Sequence, residues 1–240
     1  MIGLLLPHPV AASIEGAIEF IFSPQSSNVT GGKKVGGLDQ VVELAFTQLE
    51  LTVLAMALAM ALALPLGLYL GHRGTGELFA IAFGNLGRAI PELALIAFMA
   101  ALIGVGVLNL TIALAVLGVP PMLANAFVGI HQVDRASVEA ARGIGMTEFE
   151  ILRKVEIPLA IPTLFAGIRG ATIAIVATAT IAPIAGVLTL GDFIINENVY
   201  GVDGVLAGAI LVALLALVLE FSLAGLQRLL TSKGLRLTTA

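Results

Sequence analysis

The feature that most constrains this chain is the length of its uncharged runs. Leu93 to Ile130 is 38 residues without Asp, Glu, Lys or Arg, and the stretches Leu51 to His72 and Gly170 to Gly191 are also free of formal charge. Gly204 to Gln227 is interrupted only by Glu220. A charge at the centre of a bilayer is expensive, whereas about 20 apolar residues at 1.5 Å rise cover a ~30 Å hydrocarbon core. The runs are therefore read as membrane spans. Composition excludes the soluble alternative: 58% of residues are hydrophobic and 12% charged, against about a quarter charged in an ordinary soluble domain.

The fold class expected is all-α and polytopic, with five transmembrane helices. Leu51 to His72 is span one. The 38-residue run holds two spans, about 91–107 and 110–130, divided where Gly104, Gly106 and Asn109 weaken the helix. Gly170 to Gly191 is span four, entered from Arg169 and kinked at Pro183, and Gly204 to Gln227 is span five. Ala55, Ala59 and Ala63, then Gly67 and Gly71, then Gly204 and Gly208 repeat at spacing four, the small-residue pattern that lets helices approach closely.

Lys and Arg orient the spans. With the ends of spans one, three and five in the cytoplasm, that side holds Arg73, Arg88, Arg135, Arg142, Arg153, Lys154, Arg169, Arg228, Lys233 and Arg236, and the other side only Lys33 and Lys34. The expectation is an N-terminus outside and a C-terminus inside, in a multi-pass protein of the cell membrane. Met1 to Leu6 lacks a basic residue before Pro7 and Pro9, so no secretory leader is expected. Residues 1–37 read as an extracytoplasmic segment, with 38–240 as the transmembrane domain. Within the segment Ser13 can cap a short surface helix carrying Ile14, Ala17, Ile18, Ile21 and Phe22 on one face, and Ser23 to Gly37 reads as a linker. Asn28-Val29-Thr30 matches a glycosylation acceptor, a triplet short enough to occur by chance.

Several function classes are excluded or weakened. A net charge of −4 gives no basic footprint for nucleic acid. The absence of Cys removes thiol catalysis and Cys-ligated zinc, and His8, His72 and His131 form no metal-binding pair, so neither metal nor cofactor is expected. Gly31-Gly32-Lys33-Lys34 lacks the first Gly and the hydroxyl of a phosphate-cradling loop. Glu220 is read as lying near the cytoplasmic headgroups, in reach of water. Asn109, Asn125, Thr178 and Thr180 are the other polar groups at membrane depth, with hydrogen bonding between helices as the plain reading. Asn125, Thr178 and Thr180 are the candidates for a translocation path, and the two threonines, two apart, cannot share one helix face. Spans without a buried charge offer little grip on an ionic solute, so affinity is expected in a separate binding protein.

The loop from His131 to Ile157 gathers charge and reads as two short helices. Asp134 caps the first, Gly145 ends it, and Thr147 with Glu150 forms a capping box for a second helix reaching about Val155 before Pro158. Glu150 and Lys154 make the favourable i,i+4 pair.

Glu139, Ala140, Ala141, Gly145, Val155, Ile157 and Pro158 stand here at fixed spacing, and the segment 134–158 resembles the EAA loop of inner-membrane permease subunits of binding-protein-dependent ABC transporters. That resemblance implies a coupling loop that docks on ABC ATPase subunits, a second permease copy or homologue, and an extracytoplasmic substrate-binding protein. The strings Val155 to Pro162, Ala166 to Arg169 and Ala177 to Ile181 are similar to the glycine betaine, carnitine and choline branch, the osmoprotectant importers. Ala182 to Gly191 departs from the glycine-rich stretch usual there. The rival class is an ATP-independent carrier or channel, which would be expected to carry ionisable groups inside its spans. A membrane enzyme would need a cluster of His, Asp or Glu at span depth, which the sequence lacks.

Overall fold

The computed structural model describes residues 12–27, 29, 32–86 and 89–232. Asn28 and Thr30 of the acceptor triplet, Met1 to Pro9, Gly31, and the basic residues Arg88, Lys233 and Arg236 lie outside the described residues. Ser13 caps α1 (Ile14–Phe22), its hydroxyl accepting from the Gly16 N–H. The expected linker instead contains a two-residue antiparallel pair, β1 (Gln25–Ser26) with β2 (Lys34–Val35). The helices that follow are α2 (Gly37–Arg73), α3 (Glu77–Leu86), α4 (Glu92–Ile103), α5 (Val107–His131), α6 (Arg135–Gly143) and α7 (Glu148–Ile151). A π turn (Leu152–Glu156) leads into α8 (Ile157–Thr178), a 3₁₀ segment (Ala179–Ala185), α9 (Gly191–Ile195) and α10 (Glu197–Leu230).

Span one is part of a longer helix than its uncharged run. Val41, Leu44 and Gln48 continue the buried stripe of Leu51, Ala55, Ala59 and Ala63 backwards, while Asp39, Glu43 and Glu50 face outward. Absence of charge marks where hydrocarbon begins, and a helix with a partner to pack on runs past that point. The small-residue ladder is continuous from Ala55 to Gly71 and seats α2 on α5. A Cβ on Gly67 would stand 2.6 Å from the Ala126 Cβ, and one on Gly71 2.8 Å from the Phe127 carbonyl oxygen.

The contacts also give direction. Leu51 and Ala55 cluster with Leu110, Ala113 and Leu114, and Gly67 and Gly71 with residues 123–130, so α2 and α5 run parallel. The chain must therefore cross back between them. α3 and α4, about 15 and 18 Å long, are each too short for a ~30 Å core and together long enough. Span two is this broken pair, not one helix over 91–107, and α3 is an element that the charge pattern does not show. Four other helical runs are long and apolar enough to cross a membrane, which makes five crossings.

Span four starts earlier than Gly170. The helix runs unbroken from the loop 134–158 through Arg169, which therefore lies about 18 Å beyond Ile157, inside the span. Arg169 Nε donates to Glu220 Oε1 of α10 at 2.9 Å, and a second guanidinium nitrogen donates to Gln227 Oε1 at 3.1 Å. Glu220 is thus neutralised by a partner on the next span. The bend expected at Pro183 is the 3₁₀ segment itself, closed by a left-handed Gly186. Span five, α10, extends from Glu197 to Leu230 with non-helical backbone at Gly201.

α1 buries Ala17 and Phe20 against the bundle and leaves Ile14, Ile18 and Phe22 exposed, so the expected single apolar face is split in two. Phe20 meets Phe193 and Tyr200 edge-on, at centroid distances of 5.2 and 6.2 Å. Tyr200 donates to the buried Asp192 at 2.5 Å, tying α9 to the start of α10.

Candidate functional site

Asp134 caps α6 by accepting from the Ser137 hydroxyl at 2.9 Å and the Ser137 N–H at 3.1 Å. These bonds, with the Ala136 N–H, hold its carboxyl below the ordinary aspartate value. The helix ends in Gly145 at φ 89°, a backbone that a side chain with a Cβ strains. The capping box that opens α7 is complete, with Glu150 N–H to Thr147 Oγ1 at 3.3 Å and Thr147 N–H to Glu150 Oε2 at 3.1 Å. Lys154 donates to Glu150 at 2.8 Å.

The second loop helix does not stop before Pro158. Pro has no N–H for the helical ladder and its ring crowds the carbonyl four residues earlier. The π turn at Leu152–Glu156 widens the helix where that crowding falls, so α7 passes into α8 without a break.

Ion pairs fix the angle between the loop helices and the bundle. Arg142 on α6 holds Glu148 on α7 through two bonds, at 3.0 and 3.1 Å. His72, at the end of α2, donates through Nδ1 to the buried Glu156 at 2.5 Å and places Nε2 3.4 Å from Glu148. In the sequence His72 stands only as the last residue of span one, and its partner is not legible there. Nothing local connects residues 84 positions apart.

The seven loop residues separate by position. Glu139, Ala140 and Gly145 are exposed, and Ala141 is buried with Val138 against the bundle. Val155 lies in the π turn, and Ile157 and Pro158 begin α8. All three are half-buried, and Val155 and Ile157 pack on the core cluster of Ile130, Val133 and Ile151. Beside Gly145 stand Ile144 and Phe149, 81% and 69% exposed. Exposed large apolar side chains on a charged loop beyond the spans are the kind of patch that protein interfaces use.

The polar groups at membrane depth do not bond between helices as expected. Asn125 donates to Pro121 O of its own helix at 2.8 Å, and Asn109 to Gly104 O at 2.8 Å. Thr178 is buried with its hydroxyl unpaired, and Thr180 is held by Ala177 O at 2.6 Å. Among the described residues, hydrogen bonds between spans include Gln48 to Val176 O at 3.1 Å, Thr172 Oγ1 to Met56 Sδ at 3.3 Å, and those of the Arg169 group. Of the three path candidates, Asn125 lines a cavity of about 380 Å³ between α3, α4, α5 and α8, open at the side of the chain. Among the described residues no group of His, Asp and Glu could hold a metal ion.

Three comparisons bear on this arrangement. The carnitine transport permease protein OpuCB of Listeria monocytogenes is 42% identical over 159 residues, covering 66% of this chain and 73% of that protein. The glycine betaine/carnitine/choline transport system permease protein OpuCB of Bacillus subtilis is 40% identical over 189 residues, 78% and 87% of the two chains. In fold, the chain resembles the permease in an inward-facing MetNI methionine ABC transporter, with TM-score 0.69, 22% identity, and coverage of 81% of this chain and 98% of that one. Residues 63–233, which hold the loop 134–158, the ion-pair network and the side cavity, match the binding-protein-dependent transport system inner membrane components, and the chain belongs to that family.

Proposed function

We propose that this chain is the permease subunit of an ATP-driven importer for a quaternary-ammonium osmoprotectant of the glycine betaine, choline and carnitine class. The observation that carries the reading is the braced loop 134–158, which offers Ile144 and Phe149 around a glycine turn at the end of a five-crossing bundle. An ATPase subunit docks there and supplies the hydrolysis, and an extracytoplasmic binding protein delivers the solute. A second permease copy or homologue closes the open side of the bundle. The names of the curated relatives support the substrate class.

Orientation is part of the proposal. With Arg169 inside a span, the coupling end still carries Arg73, Arg135, Arg142, Arg153, Lys154 and Arg228 among the described residues, against Lys33 and Lys34 at the other end. That bias supports a cytoplasmic loop and C-terminus, with residues 1–37 outside.

The test is uptake into proteoliposomes that hold the permease with its ATPase, with the binding protein present. Labelled choline, carnitine or glycine betaine should accumulate only with ATP, and methionine should not. Uptake of none of the three overturns the substrate class, and uptake without the ATPase favours the autonomous carrier.

A further inference from the structure

Packing fixes the depth of Glu92, the first residue of α4. α3 and α4 track along α5 in the opposite direction. Ala80 clusters with Met122, Leu123 and Phe127, a Cβ on Gly84 would stand 2.7 Å from the Ala124 Cβ, and Ile96 clusters with Leu110, Ala113 and Leu114. Between these contacts Glu92 faces Leu117 and Pro121 across the side cavity. Those residues are at the middle of α5, so the carboxylate sits near mid-membrane and not at its edge.

Among the described residues that line the cavity, Glu92 alone carries a formal charge. Among the described residues Glu92 makes no ion pair and accepts no hydrogen bond. Asn125 uses its Nδ2 on Pro121 O, which leaves its Oδ1 unbonded, and Asn85 lines the same cavity. Arg169, one residue before the lining Gly170, turns to α10 and is neutralised by Glu220. A negative group between low-dielectric walls raises the local concentration of cations and lowers that of anions. An intramembrane ionisable residue facing a cavity marks a solute pathway.

We propose that Glu92, with Asn85 and Asn125, forms a cation-favouring waist in the translocation path, through which the trimethylammonium head of the solute passes. This rests on the importer reading. A trimethylammonium group has no N–H to donate, so it is met by charge and by apolar contact with Leu117 and Pro121. No aromatic ring lines the cavity, and without a cage of rings the contact stays weak enough for the solute to leave.

The chain has no native Cys, so an Ala174→Cys variant places one thiol on the cavity wall without touching the polar groups. In the assembled transporter turning over ATP in proteoliposomes, this thiol is challenged with a trimethylammonium-bearing methanethiosulfonate and with its sulfonate counterpart. The cationic reagent should react about tenfold faster, relative to the same two rates on a free thiol. Glu92→Gln should remove that preference and Glu92→Asp should keep it. The same ratio in Glu92→Gln as in its parent overturns the proposal, as does an Ala174→Cys thiol that neither reagent reaches. If the parent takes up no trimethylammonium compound, the substrate assignment fails while the reagent ratio still judges the waist.

Discussion

Breaking the Arg169–Glu220 pair tests the membrane assignment of span four. Glu220→Leu leaves Arg169 with Gln227 Oε1, 3.1 Å away, as its remaining partner. A lone Arg at the centre of a transmembrane helix costs roughly 2.5–3.5 kcal/mol, and breaking a buried pair costs about 3–5 kcal/mol. Arg169 is a third exposed in the isolated chain and keeps one acceptor, so the cost falls just below both ranges, at about 2 kcal/mol. Arg169→Leu should cost a similar amount, because Glu220 Oε2 is already buried without a partner. Replacing both by Leu removes both charges together and should return stability to within about 1 kcal/mol of the parent. The coupling energy is then about 3–4 kcal/mol, a factor of roughly a few hundred in the folding equilibrium. The assay is a double-mutant cycle on purified permease, read from unfolding in mixed dodecyl maltoside and SDS micelles. Single changes that add to the double with a coupling below about 0.5 kcal/mol would show that the two side chains do not depend on each other.

Gly145→Asp should leave the bundle inserted, since no Cβ clash arises there, while straining the turn by about 1 kcal/mol or more and placing a charged group beside Ile144. Copurification with the ATPase should drop and uptake should stop, whereas Glu139→Ala should act more mildly; a Gly145→Asp permease that copurifies and transports like the parent removes the loop as coupling element. A cysteine at the exposed Asn198 should react with membrane-impermeant thiol reagents from outside intact cells, and cysteines at the likewise exposed Thr147 and Ser232 should not. Labelling of Thr147→Cys from outside reverses the orientation.

The sequence made legible whatever depends on local chemistry or on the cost of an unpaired charge. Asp134, Gly145, Thr147 and Glu150 act on backbone groups within four residues, so the shape of the loop could be read directly, and the capping bonds are present. Charge-free runs located α5, α10 and most of α2 for the same reason. The ruler failed at Arg169 because it treats every charge as a boundary, and a charge that meets Glu220 fifty-one residues later is not one. It failed at α3 because ten residues ending in Gly84, Asn85 and Leu86 are too short to look like a span; only the fit of Gly84 on Ala124 shows what they do. Glu92 was visible as a residue and invisible as a depth. Its level follows from α3 lying before it along α5, which is a property of packing.

The same packing limits how the loop can act on the cavity. α7, the π turn, α8 and the 3₁₀ segment form one uninterrupted helical run from Glu148 to Ala185, so the docking surface and the cavity wall at Gly170 belong to one element. That element cannot slide freely against its neighbours. A Cβ on Gly167 would stand 2.6 Å from Asn125 Cβ, one on Gly118 2.9 Å from Ile175, and His72 binds the head of the run to the end of α2. α2 is in turn seated on α5 along five small residues. Interfaces this close move together or separate; they do not deform gradually. On the proposed docking, a push on Ile144 and Phe149 is carried as a rotation of α2, α5 and α8 as one body, and the cavity keeps its α5 and α8 walls throughout. Its open side lies on the surface of the chain, where the second permease subunit would close it. Access to Glu92 then changes by movement between two subunits, and a bound ATPase pair can drive it without breaking a contact inside either one.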